Sequence, residues 1–79
     1  MDYDKGFYTN NIGNRLKEIR LKNDLSIYKL SKILGISDVS ILKNERNETI
    51  PSARILILYV NYFGIDGHWL LTGKSFNCN

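Results

Sequence analysis

The chain has 79 residues, 43% of them hydrophobic, with one proline, one cysteine and a formal net charge of +3. That length suits a single domain, whose one core would bury only about 60% of the unfolded chain's surface, and the composition is that of an ordered globule rather than a disordered tail. The longest apolar run, Ile55 to Val60, is too short to cross a bilayer, residues 1–11 carry two acids and no apolar stretch of the kind a secretory signal needs, and Cys78 has no internal disulfide partner, so a soluble protein of the reducing cytoplasm is expected.

Apolar residues recur at helical spacing along the chain, and no alternation is long enough for a sheet. Ile12, Leu16 and Ile19 stand four and three residues apart, on one face of a first helix that Asn10 or Asn11 can cap and that ends near Asn23. Ser26 is a good N-cap for a second helix with Leu30, Ile33 and Leu34 turned inward, and Gly35 can take the left-handed conformation that ends it. Ser37 caps a third. Only Gly35, Ile36 and Ser37 connect the second and third helices, which predicts a steep crossing rather than an antiparallel hairpin. Asn47 tolerates positive φ, Glu48 to Ile50 form a loop, and Pro51 with Ser52 starts a fourth helix that runs to about Phe63 and stops at Gly64. Asp66 can cap a short fifth helix that finishes at Gly73. The ordered domain is expected at 10–74, between a flexible N-terminal tail at 1–9 and a C-terminal tail at 75–79.

Charge is distributed unevenly along this plan. Between Ile12 and Arg46, eight bases (Arg15, Lys17, Arg20, Lys22, Lys29, Lys32, Lys43, Arg46) face four acids (Glu18, Asp24, Asp38, Glu45), a local net charge of +4, while the remainder is −1. The positive excess falls in the first three helices, as a phosphate-facing surface requires, although a solvated helical surface accounts for the lysines as well.

Taken together, Leu30, Gly35, Ile36, Ser37, Ile41 and Glu45, then Pro51-Ser52, then Trp69-Leu70-Leu71-Thr72-Gly73 form a pattern. It resembles the phage-repressor type of helix-turn-helix domain, the lambda-repressor-like or Xre family, over about Ile12 to Lys74. The resemblance implies an all-α, five-helix lambda-repressor-like bundle in which the second helix crosses the DNA backbone and helix 37–46 enters the major groove of double-stranded DNA, usually as a homodimer. It also implies an ion pair between Arg20 and Glu45 that ties the third helix to the first.

By the same resemblance the base-reading positions are Asp38, Val39, Ser40 and Lys43, with Leu42 nearby, and Arg15, Lys17, Ser26, Tyr28, Lys29, Lys32 and Arg46 are candidates for the DNA backbone. This reading set is poor in donors. Lys43 could donate to guanine, Asp38 could accept from cytosine, and Val39 and Leu42 could cover thymine methyls; equally, Asp38 suits the first turn of any helix. Ile27 stands where the family often has glutamine, and Asn44 stands where an apolar residue usually packs inward. A buried Asn44 would rotate the helix and draw Leu42 inward. Alternatively Ile27, Val39 and Leu42 form a sticky face for a protein partner, as in a protein-interaction or antitoxin-like module of the same fold.

The fourth helix is apolar nearly all round. Leu56, Tyr59, Val60 and Phe63 account for a core face, leaving Ile55, Leu58 and Tyr62 as a second stripe that a subunit or partner would cover with help from Trp69 and Leu70, unless the fifth helix or the tails fold over it. No enzyme, metal site or cofactor is expected. His68 is the one histidine, Cys78 falls in a tail, and neither an activated nucleophile nor a glycine-rich phosphate loop is present.

Overall fold

The computed structural model describes residues 11–74. The expected tails at 1–9 and 75–79 lie outside the described residues, as does Asn10. Five helices follow one another in the described part: α1 (Ile12–Lys22), α2 (Ile27–Leu34), α3 (Asp38–Glu45), α4 (Ala53–Phe63) and α5 (Gly67–Thr72). The fold is the all-helical bundle that the periodicity predicts, with no strand among the described residues.

Short polar side chains start four of these helices. Ser26, Ser37 and Ser52 accept from the backbone N–H of Lys29, Ser40 and Ile55, and Asp66 accepts from that of His68, so each satisfies a donor that the first turn leaves without a helical partner. Helix α2 ends where Gly35 takes φ 70, and the N–H groups of Gly35 and Ile36 both return to the Ser31 carbonyl. This turn drives Ile36 into the core, where it is 8% exposed.

Helix α1 starts differently from the expectation. Asn11 is left-handed, at φ 55, and makes no side-chain cap. The first-turn donor is met from the far end of α3 instead: Asn47, itself at φ 61, accepts from the Gly13 N–H at 2.9 Å and donates to the Asn14 side chain at 3.1 Å.

The core consists of Ile12, Leu16, Ile19, Leu30, Leu34, Ile36, Ile41, Tyr59 and Leu70. Burying each such aliphatic side chain contributes roughly 1.5–3 kcal/mol. Ile33, expected inward, is 37% exposed, and Ile27 takes its place by packing against the core. The inward stripe of α2 is therefore Ile27, Leu30 and Leu34, at spacings of three and four. Helix α3 packs on both α1 and α2, α4 packs on α2, and α5 packs on α1.

Two buried groups tie α3 down. Arg20 meets Glu45 through two parallel bonds, Nε to Oε2 at 2.7 Å and Nη2 to Oε1 at 3.0 Å, and its Nη1 donates to the Leu25 carbonyl at 2.9 Å. The bond to Glu45 raises the Arg20 pKa against the opposing effect of burial, so the guanidinium stays charged inside the fold. Asn44, 4% exposed, donates to the Thr49 hydroxyl at 2.8 Å, while its Oδ1 finds no partner among the described residues.

Tyr59 carries the other buried polar atom without a partner, its hydroxyl. Burial, then the nearby Glu45 charge, push this phenol well above its ordinary value, so the fold accepts only the neutral form. An unfolded tyrosine ionises near pH 10. The contribution of the neutral ring is thus complete below about pH 10 and falls by about 1.4 kcal/mol per pH unit above it, as the unfolded state alone loses the proton. Tyr59→Phe is expected to match or slightly exceed the parent at pH 7 and to remove this alkaline loss. Urea midpoints compared from neutral pH to pH 11.5 check it; parallel declines in both proteins would exclude the assignment.

Candidate nucleic-acid interface

Helix α3 presents a sharply divided surface. Ile41, Asn44 and Glu45 are buried, whereas Asp38, Val39 and Lys43 are exposed, Val39 to 57%. The division follows from the three-and-four rule: with 41, 44 and 45 fixed inward by the core and by Arg20, residues 38, 39 and 43 have to face out. Ser40 is half-buried, and its hydroxyl accepts from Ser37 Oγ at 3.0 Å. Leu42 is half-buried, two residues before the buried Asn44. Asp38 in the first turn and Lys43 in the last both complement the helix macrodipole, so each charge also has a purely structural reason to be there.

Packed against α3, helix α2 carries cationic and hydrogen-bonding groups. Tyr28 is 63% exposed, Lys29 is exposed, and Lys32 holds its ammonium 5.0 Å from the centre of the Tyr28 ring. That cation–π contact limits where Lys32 can swing without neutralising it. Ser26 accepts from the Lys29 N–H at 3.1 Å as the α2 cap, which leaves its hydroxyl proton available to an acceptor outside. Lys17 is exposed on α1, and Arg46 is exposed just after α3, loosely paired with Glu48 at 3.6 Å.

Arg15 is the exception among the cationic candidates. Its Nε donates to the Leu70 carbonyl at 2.7 Å and its Nη2 to the Leu71 carbonyl at 3.3 Å, so it closes the carbonyl end of α5 rather than facing outward with the others. Burial lowers its pKa, partly offset by Glu18. Local sequence could not reveal this, because the partners lie more than fifty residues away. Asn47 and Thr49, just past the end of α3, also had no periodic signal for their contacts to Gly13 and Asn44.

The second predicted surface is divided by the fold. Leu70 is fully buried in the core, and Ile55, Leu58 and Trp69 are half-buried and packed against that core. Tyr62 remains 58% exposed and meets Phe63 edge to face, with ring centres 5.0 Å apart. Ile57, outside the predicted stripe, is also exposed, at 56%. Among the described residues there is no cluster of metal-binding side chains, and no helix is long and apolar enough to cross a membrane.

Comparison with known proteins places this arrangement. The family described as helix-turn-helix domain matches residues 13–75. A Methanococcus vannielii protein provisionally named an HTH-type transcriptional regulatory protein is 37% identical over 60 residues, which is 76% of this chain and 18% of that protein. A similarly named protein of Methanococcus maripaludis is 35% identical over the same share of each. The chain therefore matches about a fifth of the length of these relatives. Among solved structures, the P22 c2 repressor protein, crystallised in complex with synthetic operator 9T in the presence of Tl+, superposes with a TM-score of 0.72 at 30% identity, covering 80% of this chain and 96% of that one. That neighbour has the lambda-repressor-like bundle, and the five helices here share it.

Proposed function

The chain belongs to this helix-turn-helix domain family, and from that premise we propose that it is a sequence-specific, repressor-like transcriptional regulator of the cytoplasm that binds double-stranded DNA as a homodimer, with α3 in the major groove. The observation that carries the reading is the outward edge of α3, Asp38, Val39 and Lys43, exposed as are Lys29 and Lys32 of α2, the helix packed against it. The lysines suit phosphates, and the α3 edge supplies one cation, one anion and one apolar group for base edges.

Each residue then has a distinct task. Lys43 donates to guanine, Val39 covers a thymine methyl, Asp38 accepts from a cytosine amino group, and Ser40 approaches the same edge. Ser26, Tyr28, Lys29, Lys32, Lys17 and Arg46 hold phosphates. Arg15 is left out of that set, since its guanidinium is engaged by α5. The protein-interaction reading has less support: Ile27 and Leu42 are half-buried, which leaves Val39 as the one fully outward apolar residue of that three-residue face.

Lys43→Ala is expected to cost about 1–3 kcal/mol on the preferred site and to relax sequence preference there, whereas Lys29→Ala should weaken all duplexes alike and flatten the salt dependence. Selection from a random duplex library, followed by titration at several salt concentrations, measures both. An enriched two-fold-symmetric motif with a steep salt slope supports the regulator; flat, negligible binding removes it in favour of the protein-interaction module.

A further inference from the structure

The hollow between α4 and α5 has no place in the DNA reading. Its volume is about 320 Å³, and Leu56, Ile57, Val60, Asn61, Leu70 and Leu71 line it. All of these belong to α4 or α5, and none to α2 or α3, the helices the DNA reading uses. Ile57, one of its lining residues, is 56% exposed, which puts an apolar knob and an apolar hollow on one surface. A surface with both elements can bind itself about a two-fold axis, each copy's knob filling the other's hollow.

We propose that this hollow is the self-association surface of the protein, occupied by α4 of a second copy running antiparallel. The inference rests on the homodimer reading above and replaces the Ile55, Leu58 and Tyr62 stripe as its contact. Charge favours the antiparallel arrangement. Arg54, Ile57 and Asn61 follow one another at three and four residues and so share a stripe of α4. The last turn of α4 contains no basic residue, so its carbonyl end carries uncompensated negative charge. Antiparallel pairing puts Arg54 of each copy beside that end of the other, with Ile57 near the axis.

Sedimentation equilibrium on the full chain tests this with two variants. Ile57→Glu is expected to weaken self-association by about a hundredfold, the size of a lost central anchor, with helix content unchanged because the residue lies outside the core. Arg54→Glu is expected to weaken it by about threefold to tenfold, with the difference fading at high salt. Unaltered association of Ile57→Glu, or a parent that stays monomeric at its highest soluble concentration, overturns the proposal. Should Ile57→Glu fail to fold, Arg54→Glu decides by the same criterion. A dimer that binds no duplex keeps this inference and removes the DNA reading; a monomer that still selects a half-site does the reverse.

Discussion

Glu45→Ala is expected to lower the unfolding free energy by about 3–5 kcal/mol, because it leaves a buried guanidinium without its counter-charge. Arg20 is 8% exposed, and the Leu25 carbonyl would be its one remaining acceptor. For a small domain this loss is comparable to the whole of its stability, so much of the variant should be unfolded at room temperature. Replacing both members is a different experiment. Arg20→Met with Glu45→Leu removes both charges and leaves apolar groups of similar volume, and it should recover most of the loss. Urea unfolding followed by circular dichroism measures both proteins; a single variant within 1 kcal/mol of the parent would contradict the buried-pair account. The double variant also separates stability from function. Two parallel hydrogen bonds fix the rotation of α3 about its axis, and packing alone fixes it less sharply. Duplex binding should stay reduced in the double variant even where stability returns, as Asp38, Val39 and Lys43 lose their fixed facing.

The pair illustrates what a linear chain reveals of such a site. The helices, their serine and aspartate caps and the Gly35 turn were legible because each is local: a cap acts on an amide two or three residues on, and a left-handed glycine acts on its own turn. The division of α3 into inner and outer edges followed from Ile41 and Glu45 through helical spacing. Burial on α4 was not legible in the same way. Ile55, Leu58 and Ile57 are alike as side chains, and only where the rest of the core lies decides that the first two pack while the third stands out. The engagement of Arg15 was hidden for a related reason, since a cation near a helix face looks the same whether its acceptor is a phosphate or the carbonyl end of a helix fifty residues on.

Gly13→Ala is the sharpest case of a distant contact overriding a local rule. Within a helix, glycine to alanine ordinarily stabilises by up to about 1 kcal/mol, and Gly13 lies in α1 without a positive φ. A Cβ there would run into the Asn44 carbonyl oxygen and come within 2.8 Å of the Glu45 carbonyl oxygen and 2.7 Å of Asn47 Oδ1. Two of these are backbone atoms in the last turn of α3, held by the Arg20 and Thr49 contacts, so they cannot rotate aside. Helices α1 and α3 must separate, the bond from the Gly13 N–H to Asn47 weakens, and the net cost should be about 3 kcal/mol, at the upper end for overpacking. Gly67 is the internal control. A Cβ on this residue would meet only Val60 Cγ2, at an ordinary 3.8 Å, so Gly67→Ala should leave stability unchanged or raise it by up to about 1 kcal/mol. Thermal and urea unfolding should therefore show a loss for Gly13→Ala and none for Gly67→Ala. If Gly13→Ala is as stable as the parent, α1 and α3 are not in the contact described, and the fixed presentation of α3 to a duplex loses its foundation.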